Sequence, residues 1–209
     1  MAKWNSEAVE FDKLYARSWE HRIPYFGRVL REGLERRENG ALAYAGDLKG
    51  RTVLDLGCGV GRFALRAASL GATVHGYDLS VSAIDIARAK AAEAGLSERC
   101  RFEAADLARV EFPAADVWFD LGCFQYIADV RPILERLTHV PRFFSELPQS
   151  GHWQNLPRLL YRRLLKGNPY YTYTEADIHR AFAACGEHAV EKRGLSFWIT
   201  SPRASNGRK

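Results

Sequence analysis

The residues with the clearest chemical potential are three closely spaced glycines near position 60. Gly57, Gly59 and Gly61 follow the apolar segment 52–56, which is typical of a buried strand, and they lie where a helical pattern over 60–70 begins. Glycine lets the chain turn tightly and lets a ligand approach the backbone closely. In an open α/β sheet, ligands bind beyond the carboxyl ends of the strands. The spacing therefore predicts a ligand-binding loop.

The residues around these glycines distinguish between two classes of ligand. A dinucleotide-binding loop has the spacing GxGxxG, whose third glycine packs the helix against the strand. Here the spacing is GxGxG, and Arg62 stands where the dinucleotide pattern needs glycine. Asp55, just before the first glycine, adds a negative charge that opposes a pyrophosphate. The pattern favours a cationic ligand with an ammonium and a sulfonium, and it disfavours a nicotinamide-dependent oxidoreductase.

An acid at the end of the next predicted strand fits the sugar of such a ligand. Asp78 ends the segment 73–78 and follows Gly57 at about the 20-residue offset of an acid that binds ribose hydroxyls. Its two oxygens can accept from both hydroxyls, with Leu79 against the adenine face. The alternative is that Asp78 caps the following helix, although Ser80 is available for that role.

The segment 53–63 resembles motif I of the class I S-adenosylmethionine-dependent methyltransferases, and the strand–helix order agrees with that family from about residue 50 to residue 200. The resemblance implies an α/β fold with a Rossmann-like, seven-stranded, mostly parallel sheet and helices on both faces. It implies S-adenosyl-L-methionine (SAM) as cofactor and S-adenosyl-L-homocysteine (SAH) as product. The cofactor-binding residues that we predict are Asp55, Gly57, Cys58, Gly59, Gly61, Asp78, Leu79, Ala105, Asp106, Leu107, Leu121, Gly122 and, from the N-terminal helices, Tyr15.

Two further acids near predicted strand ends have more than one interpretation. In the resembling family a carboxylate at the position of Asp106 holds the adenine amino edge; otherwise Asp106 is a solvated loop acid. Asp120 lies at the carboxyl end of the segment 117–121, where an acid is costly to bury unless it is paired or used. It binds the cofactor's ammonium, acts as a base toward substrate, or is a structural acid hydrogen-bonded to the N-terminal helices. The sequence leaves these alternatives open.

Methyl transfer from a sulfonium is an in-line displacement, so the protein mainly has to align the nucleophile, the methyl group and the sulfur. Positioning alone supplies roughly 7–11 kcal/mol of the barrier, and a hydroxyl acceptor also needs a base. The candidate catalytic residues are His152, Tyr126 and Asp120. The alternative for His152 is an exposed loop histidine. The residues after Asp120 lack the Asn/Asp-Pro-Pro-aromatic signature of base N-methylation, which disfavours that type of nucleic-acid enzyme.

Strand-like and helical segments alternate after residue 50, which predicts βαβ units and a parallel sheet. The predicted strands are 52–56, 73–78, 101–104, 117–121, 142–146, 187–192 and 195–200. The predicted helices of this region are 60–70, 80–94, 130–137 and 175–185. Ser80 and Thr174 are the expected N-caps, and Gly95 is the expected stop after the second helix.

We predict a helical cap over 1–48, a methyltransferase core over 49–201 and a flexible tail over 202–209. Pro24 breaks the cap into at least two helices. Residues 148–173 interrupt the core with an aromatic, basic insert that lacks Asp and Glu. Its segment 156–166 has two interpretations. It is a lid that binds an anionic or lipid-like acceptor or contacts a membrane surface, or it is a covering helix whose leucines face the core. The covering helix is favoured.

The composition is that of a globular protein, with 209 residues, 47% hydrophobic, 26% charged, and a formal net charge of +5. This charge permits an anionic partner without demanding one. Cys58, Cys100, Cys123 and Cys185 form no CxxC pair, which argues against a zinc site or disulfide framework and fits a reducing cytosol. We predict no metal, no membrane-spanning segment and no secretory leader, and hence a cytoplasmic location.

The sequence therefore predicts a SAM-dependent methyltransferase that acts on a small-molecule or lipid-like acceptor. Three features favour such an acceptor over a macromolecule. The chain is compact, it shows no appended recognition domain, and the predicted cap and insert are rich in aromatic residues. We expect no DNA partner, possible peripheral membrane contact, and a monomer or homodimer. One alternative is an RNA or protein methyltransferase, which the positive net charge supports. Another is a catalytically silent SAM-binding protein.

Overall fold

The computed structural model of the chain describes residues 24–152, 155, 160 and 169–202. Residues 1–23 of the predicted cap, including Tyr15, lie outside the described residues, as do most of the insert 148–173 and residues 203–209. The predictions made for those residues stay predictions.

Within the described ranges the chain forms five α-helices, two short 3-10 helices and seven strands. The α-helices are α1 (Pro24–Ala45), α2 (Arg62–Ser69), α3 (Val81–Glu93), α4 (Arg131–Arg136) and α5 (Glu175–Ala181). The 3-10 helices are Phe124–Tyr126 and Phe182–Cys185. The strands are β1 (Thr52–Leu56), β2 (Thr73–Asp78), β3 (Cys100–Ala104), β4 (Val117–Asp120), β5 (Phe143–Pro148), β6 (Ala189–Arg193) and β7 (Ser196–Thr200).

The seven strands form one sheet in the order β3-β2-β1-β4-β5-β7-β6. β1 pairs with β2, β2 with β3, and β4 with β5 in parallel. β7 pairs antiparallel with both β5 and β6. The predicted fold class, a seven-stranded and mostly parallel α/β sheet, is therefore confirmed. Parallel neighbours end at the same edge of the sheet, so the residues after β1, β2 and β3 are brought together there.

The described residues divide into two compact units, one up to Val110 and the other from Glu111. In the first unit, aliphatic strand residues such as Val53, Leu54 and Val74 are completely buried. Helices α2 and α3 contribute mainly small residues, including Ala64, Ala67 and Ala87. Small side chains let these helices pack closely on the strands. The predicted division at residue 48 stays a prediction.

The second unit has an aromatic core. The Trp118 ring of β4 stacks on the Phe143 ring of β5, with ring centroids 4.8 Å apart and planes 10° apart. The Phe182 ring packs against both, at 6.3 Å from Trp118 and 5.7 Å from Phe143. All three side chains are almost fully enclosed. This packing fixes β4 and β5, which carry the polar residues described below.

The predicted helix caps are confirmed where the structure describes them. The Ser80 hydroxyl accepts from the Ala83 amide at 3.2 Å, and Gly95 ends the following helix region with a φ of 67°. Thr174 caps α5 in a capping box with Asp177, since its hydroxyl accepts from the Asp177 amide at 3.2 Å and the Asp177 carboxylate accepts from the Thr174 amide at 2.8 Å. The local signals therefore place these helices correctly along the chain.

Over the described ranges, no helix combines the length and the apolar character needed to cross a bilayer. The same ranges contain no group of three or more His, Cys, Asp or Glu side chains placed to share a metal ion. All four cysteines lie within them and are free thiols.

Candidate functional site

The glycine loop after β1 is held against the end of β2 by its backbone. The amides of Gly57 and Cys58 both donate to the carbonyl of Tyr77, at 2.8 and 2.9 Å. All three predicted glycines have positive φ, namely 71° at Gly57, 51° at Gly59 and 78° at Gly61. L-residues rarely adopt this backbone region, so the glycines are what allow the chain to turn three times within five residues.

The Asp78 carboxylate connects this loop to the start of α3. One oxygen accepts from the Gly59 amide at 2.9 Å, and the other accepts from the Ser80 amide at 2.8 Å. Burial raises the pKa of Asp78, and the hydrogen bonds from Ser80 and Gly59 oppose that rise. The Leu79 amide also donates to this carboxylate, which has about four lone-pair sites and therefore keeps capacity for a further donor. Ser80, and not Asp78, is the N-cap of α3, so the helix-cap alternative for Asp78 is not needed.

Gly59 and Gly61 have different surroundings. A Cβ built at Gly59 has no heavy atom within 4 Å, whereas one at Gly61 would lie 3.0 Å from both the Ala87 Cβ and the Phe102 ring. Gly59 therefore faces open space, while Gly61 lets α2 begin in contact with α3 and β3. The GxGxG spacing thus provides the close packing that the third glycine provides in a dinucleotide loop.

Asp55 lies within β1 and is only 2% exposed. Its negative charge reaches Cys100 on β3, where burial and the charge of Asp55 together raise the pKa of the thiol. Cys58, also buried, has its sulfur 3.0 Å from the position of a Cβ at Gly76. Both predicted residues therefore line the loop from the core side.

Ala105, Asp106 and Leu107 follow β3 at the same sheet edge. The Ala105 amide donates to the Asp78 carbonyl at 2.9 Å, and Leu107 is buried. The Asp106 carboxylate is exposed, accepts from the Ala108 amide at 3.0 Å and lies 3.7 Å from Arg109 Nε. Leu79, beside them in the chain, is 39% exposed. Within the first unit, the structure thus brings the residues after β1, β2 and β3 together.

Arg62 has a structural partner that the sequence analysis did not identify. Its Nε lies 2.9 Å from a carboxylate oxygen of Glu38 on α1, and Arg66 lies 3.4 Å from the other oxygen. Arg66 also donates to the Asn39 side chain at 2.6 Å. The position that a dinucleotide loop gives to glycine is therefore used here to fasten α1 to the helix that follows the glycine loop.

In the second unit, Asp120 is completely buried at the end of β4. Its Oδ1 accepts from the amides of Gly122, Cys123 and Phe124 at 3.1, 2.7 and 3.1 Å, and its Oδ2 accepts from the Ser145 hydroxyl at 2.7 Å. Burial raises the pKa of Asp120 to about 6 despite these hydrogen bonds. The geometry argues against a contact with cofactor or substrate and favours the structural alternative; among the described residues, its partners belong to its own turn and to β5.

Residues 121–126, here named the β4 turn, include the predicted residues Leu121, Gly122 and Tyr126. Leu121, Gly122 and Tyr126 are half-buried, and the Tyr126 ring meets the Tyr170 ring edge-on with centroids 6.0 Å apart. The Tyr173 hydroxyl donates to the Phe124 carbonyl at 3.2 Å. His152, predicted as a second catalytic residue, is half-buried, and its carbonyl accepts from the Asn155 amide at 2.9 Å.

The sequence analysis missed Ser145, Tyr173 and Glu38, which hold predicted site residues in place. Ser145 carried only a weak signal, a hydroxyl within the predicted strand 142–146, because its register position opposite Asp120 appears only in the structure. Glu38 and Tyr173 carried none, since their partners are distant in the chain and only the tertiary fold brings them close. Tyr15 lies outside the described residues.

Comparison with known proteins identifies the family. The family profile described as "Methyltransferase domain" matches residues 47–196. Because this match covers well over half of the chain, the chain belongs to that methyltransferase family. The resemblance that the glycine loop indicated is thereby confirmed.

Sequence relatives include two named ubiquinone biosynthesis O-methyltransferase. The relative from Bordetella parapertussis is 30% identical over 154 residues, which are 71% of this chain and 58% of the relative. The relative from Chelativorans sp. is 33% identical over 88 residues, which are 42% of this chain and 35% of the relative. The chain thus spans from about a third to about three fifths of the length of these curated relatives.

A solved structure matches nearly the whole chain. Magnesium protoporphyrin IX methyltransferase from Synechocystis PCC 6803, with bound SAH, superposes with a TM-score of 0.75 and covers 95% of this chain and 96% of its own. Its sequence identity is 20%. At this level of identity the likeness concerns the fold alone.

Proposed function

We propose that this chain is a SAM-dependent methyltransferase with a small-molecule or lipid-like acceptor. The observation that carries the proposal is an open glycine turn joined to a carboxylate. A Cβ at Gly59 would meet no heavy atom within 4 Å, and the Asp78 carboxylate is bonded to that same residue at 2.9 Å. A ligand can therefore approach the backbone at Gly59 beside a carboxylate that can accept a further hydrogen bond. Membership in the methyltransferase family supports the choice of ligand.

The described residues fit a nucleoside with a cationic amino-acid side chain. Asp78 would accept from the ribose hydroxyls with the acceptor capacity that the Gly59, Ser80 and Leu79 amides leave free. The exposed Leu79 would pack on the adenine, with Asp106 and the backbone at Leu107 at its amino edge. Asp55 would supply negative potential behind the glycine turn, and Leu121 and Gly122 would line the methionine part. Tyr15 remains a proposed contact outside the described residues.

When bound, SAM supplies a methyl group already activated by its sulfonium. The task left to this chain is to bind, to orient and to exclude water, and alignment alone supplies roughly 7–11 kcal/mol of the barrier. For a hydroxyl acceptor, His152 and Tyr126 remain the proposed bases, since both residues are partly exposed. Asp120 is not proposed as a base, because its carboxylate is enclosed and accepts four hydrogen bonds.

The proposed acceptor class draws on the relatives. Two are named for ubiquinone biosynthesis and one solved structure is named for magnesium protoporphyrin IX, and these names refer to small organic molecules. The aromatic residues Tyr126, Tyr170 and Tyr173 beside the β4 turn are compatible with such an acceptor. We also propose a cytoplasmic enzyme of small-molecule metabolism, a location supported by its four free thiols.

Two measurements test the proposed function. Titration calorimetry should give saturable binding of SAM and SAH, whereas NADH, the matched nucleotide control, should give none. Incubation with methyl-labelled SAM and fractionated cell extract should place the label in the low-mass or lipid fraction. Label in RNA or protein would refute the proposed acceptor class, binding without turnover of any fraction would indicate a silent cofactor-binding protein, and tight binding of NADH alone would refute the whole proposal.

A further inference from the structure

Asp120 concentrates four hydrogen bonds at the start of the β4 turn. Its Oδ1 accepts from three consecutive amides, Gly122 to Phe124, at 2.7–3.1 Å. Gly122 has a φ of 104°, so the chain leaves β4 through a backbone conformation that only glycine adopts readily. The carboxylate therefore fixes an otherwise unfavourable change of direction directly after the strand.

The carbonyl oxygens of the same turn also accept hydrogen bonds. The Tyr173 hydroxyl donates to the Phe124 carbonyl at 3.2 Å, and the Tyr171 amide donates to the Gln125 carbonyl at 2.8 Å. Within the turn, the Gln125 side chain donates to the Gly122 carbonyl at 2.7 Å. Three consecutive amides of the turn, from Gly122 to Phe124, thus share Oδ1 of Asp120 as an acceptor.

We infer that Asp120 is a positioning residue for the proposed methyl transfer: its ionised carboxylate sets the shape of the β4 turn, whose residues Leu121 and Gly122 meet the methionine part of the cofactor. This inference rests on the proposed function. Ser145 contributes to the same arrangement, because its hydroxyl donates to Oδ2 and leaves Oδ1 directed at the amides.

The strength of the hydrogen bonds that hold the β4 turn depends on the charge of Asp120. An ionised acceptor forms hydrogen bonds roughly twice as strong as a neutral one. Burial raises the pKa of this carboxyl to about 6, although the hydrogen bonds from Ser145 and the three amides lower it. Among the described residues, the groups that face it are Ser145 from β5, the turn amides, and Tyr173, whose own pKa is raised by burial and by the charge of Asp120. Protonation therefore weakens the hold on the turn.

The test compares wild type with Asp120→Asn, which keeps an acceptor for the amides but carries no charge. SAH is a suitable probe, since the test needs no acceptor. The wild-type affinity for SAH should fall by about tenfold as the pH is lowered from about 7.5 to about 5. Asp120→Asn should bind at pH 7.5 as weakly as wild type at pH 5, with a flat profile between them. Asp85→Asn, on the exposed face of α3, is the control and should keep the wild-type profile.

Ser145→Ala provides a second, independent arm. Because the Ser145 hydroxyl lowers the pKa of Asp120, its removal should move the inflection of the SAH-affinity profile to a higher pH without flattening it. A residue that only supported the fold would change the affinity at every pH alike. An inflection that stays in place in Ser145→Ala, or that persists in Asp120→Asn, would overturn the inference.

Hydrogen exchange separates this inference from the proposed function. At pH 7.5 the amides of the β4 turn should exchange faster in Asp120→Asn than in wild type, while the amides of β1 and β2 should not. If wild type bound no SAH at any pH, the proposed function would fail and the exchange experiment would still decide whether Asp120 holds the turn. Equal exchange in the turn of both proteins would overturn that role.

Discussion

Gly59 and Gly61 share a left-handed backbone, with φ of 51° and 78°, and differ in what surrounds them. Gly61 has the Phe102 ring and Ala87 at contact distance, so its missing side chain serves packing. Gly59 faces open space, so its missing side chain leaves room that no part of the described chain fills. Glycines that look equivalent in the sequence therefore lead to different expectations for substitution.

Gly59→Ala should lower the affinity for SAM by at least about tenfold, because the added methyl group occupies the space through which a ligand reaches the backbone. The positive φ adds a strain of about 1–2 kcal/mol. Gly95→Ala is the matched control, since Gly95 has a φ of 67° and equally open surroundings. Calorimetry with SAM and thermal unfolding should show similar destabilisation of both variants but weakened binding only in Gly59→Ala. Equal affinities would contradict the assignment of the glycine turn.

Asp78→Ala should weaken SAM binding by about 1–3 kcal/mol, since it removes a charged hydrogen-bond acceptor and also releases the Gly59 amide. Asp85→Ala removes an equal charge from α3, where the carboxylate only meets Arg88 at 3.5 Å. Its affinity should equal that of wild type. Calorimetry of both variants under identical conditions is the measurement, and an unchanged affinity in Asp78→Ala would exclude it from the site.

The sequence predicted the residue types at this site but not all of the contacts that these residues make. The offset between Gly57 and Asp78 follows from the length of one βαβ unit, so it could be read from spacing alone. The hydrogen bond from the Gly59 amide to Asp78 could not, because it depends on the register between two strands. Asp120 illustrates the same limit, since its burial was visible in the pattern whereas its partner Ser145 appears only when β4 and β5 are paired.

At the scale of elements, β2 and β3 approach each other closely at Gly76. A Cβ at Gly76 would lie 2.7 Å from the Phe102 ring and 3.0 Å from the Cys58 sulfur. Gly76 lies in the middle of β2, where glycine is normally unfavourable. It is needed here because the Phe102 side chain crosses over the strand and reaches the helix start at Gly61. The packing of three elements therefore depends on one absent side chain.

Gly76→Ala should destabilise the fold by about 1–3 kcal/mol through overpacking. Phe102→Leu in the same protein should recover part of that loss, because a smaller side chain relieves the contact. Gly33→Ala, in α1 with nothing within 4 Å, is the control and should be neutral or stabilising by up to about 1 kcal/mol. Denaturant unfolding of the single and double variants measures the coupling, and strictly additive effects would contradict the described contact.

Element boundaries were predicted well where local signals exist. The capped starts of α3 and α5 match the prediction, whereas the weak strand 142–146 extends instead over Phe143–Pro148. Pro148 is a poor strand residue, and it is accommodated because β5 pairs antiparallel with β7 at that end. Tertiary pairing therefore overrides the local preference, and single-residue patterns do not contain that information.

At the scale of the whole molecule, the buried Asp120 makes stability depend on pH. Its pKa is raised from the ordinary 3.8 to about 6, so the native state binds the proton more tightly than the unfolded chain. The corresponding stability is fully present below pH 3.8 and is lost as the pH rises through about 6. A shift of this size corresponds to about 3 kcal/mol.

Asp120→Asn should therefore be more stable than wild type at pH 7.5, by up to about 3 kcal/mol, and this difference should vanish below about pH 4. The pKa of His75 is lowered by burial and by Arg101, so His75 gives the stability a pH dependence of the opposite sign. Comparing the two proteins at the same pH removes this contribution. Denaturant unfolding between about pH 4 and about pH 8 is the measurement. A variant that is less stable at pH 7.5 would show that the carboxylate stabilises the native state in its ionised form.

The two ends of the insert 148–173 meet each other. The Tyr173 amide donates to the Pro148 carbonyl at 2.9 Å, and the Ser150 amide donates to the Tyr173 carbonyl at 2.7 Å. Because closure of a loop depends only weakly on its length, a segment anchored at such a neck can be lengthened, shortened or exchanged at small entropic cost. A change in the length or composition of this insert therefore need not disturb the β-sheet at its base.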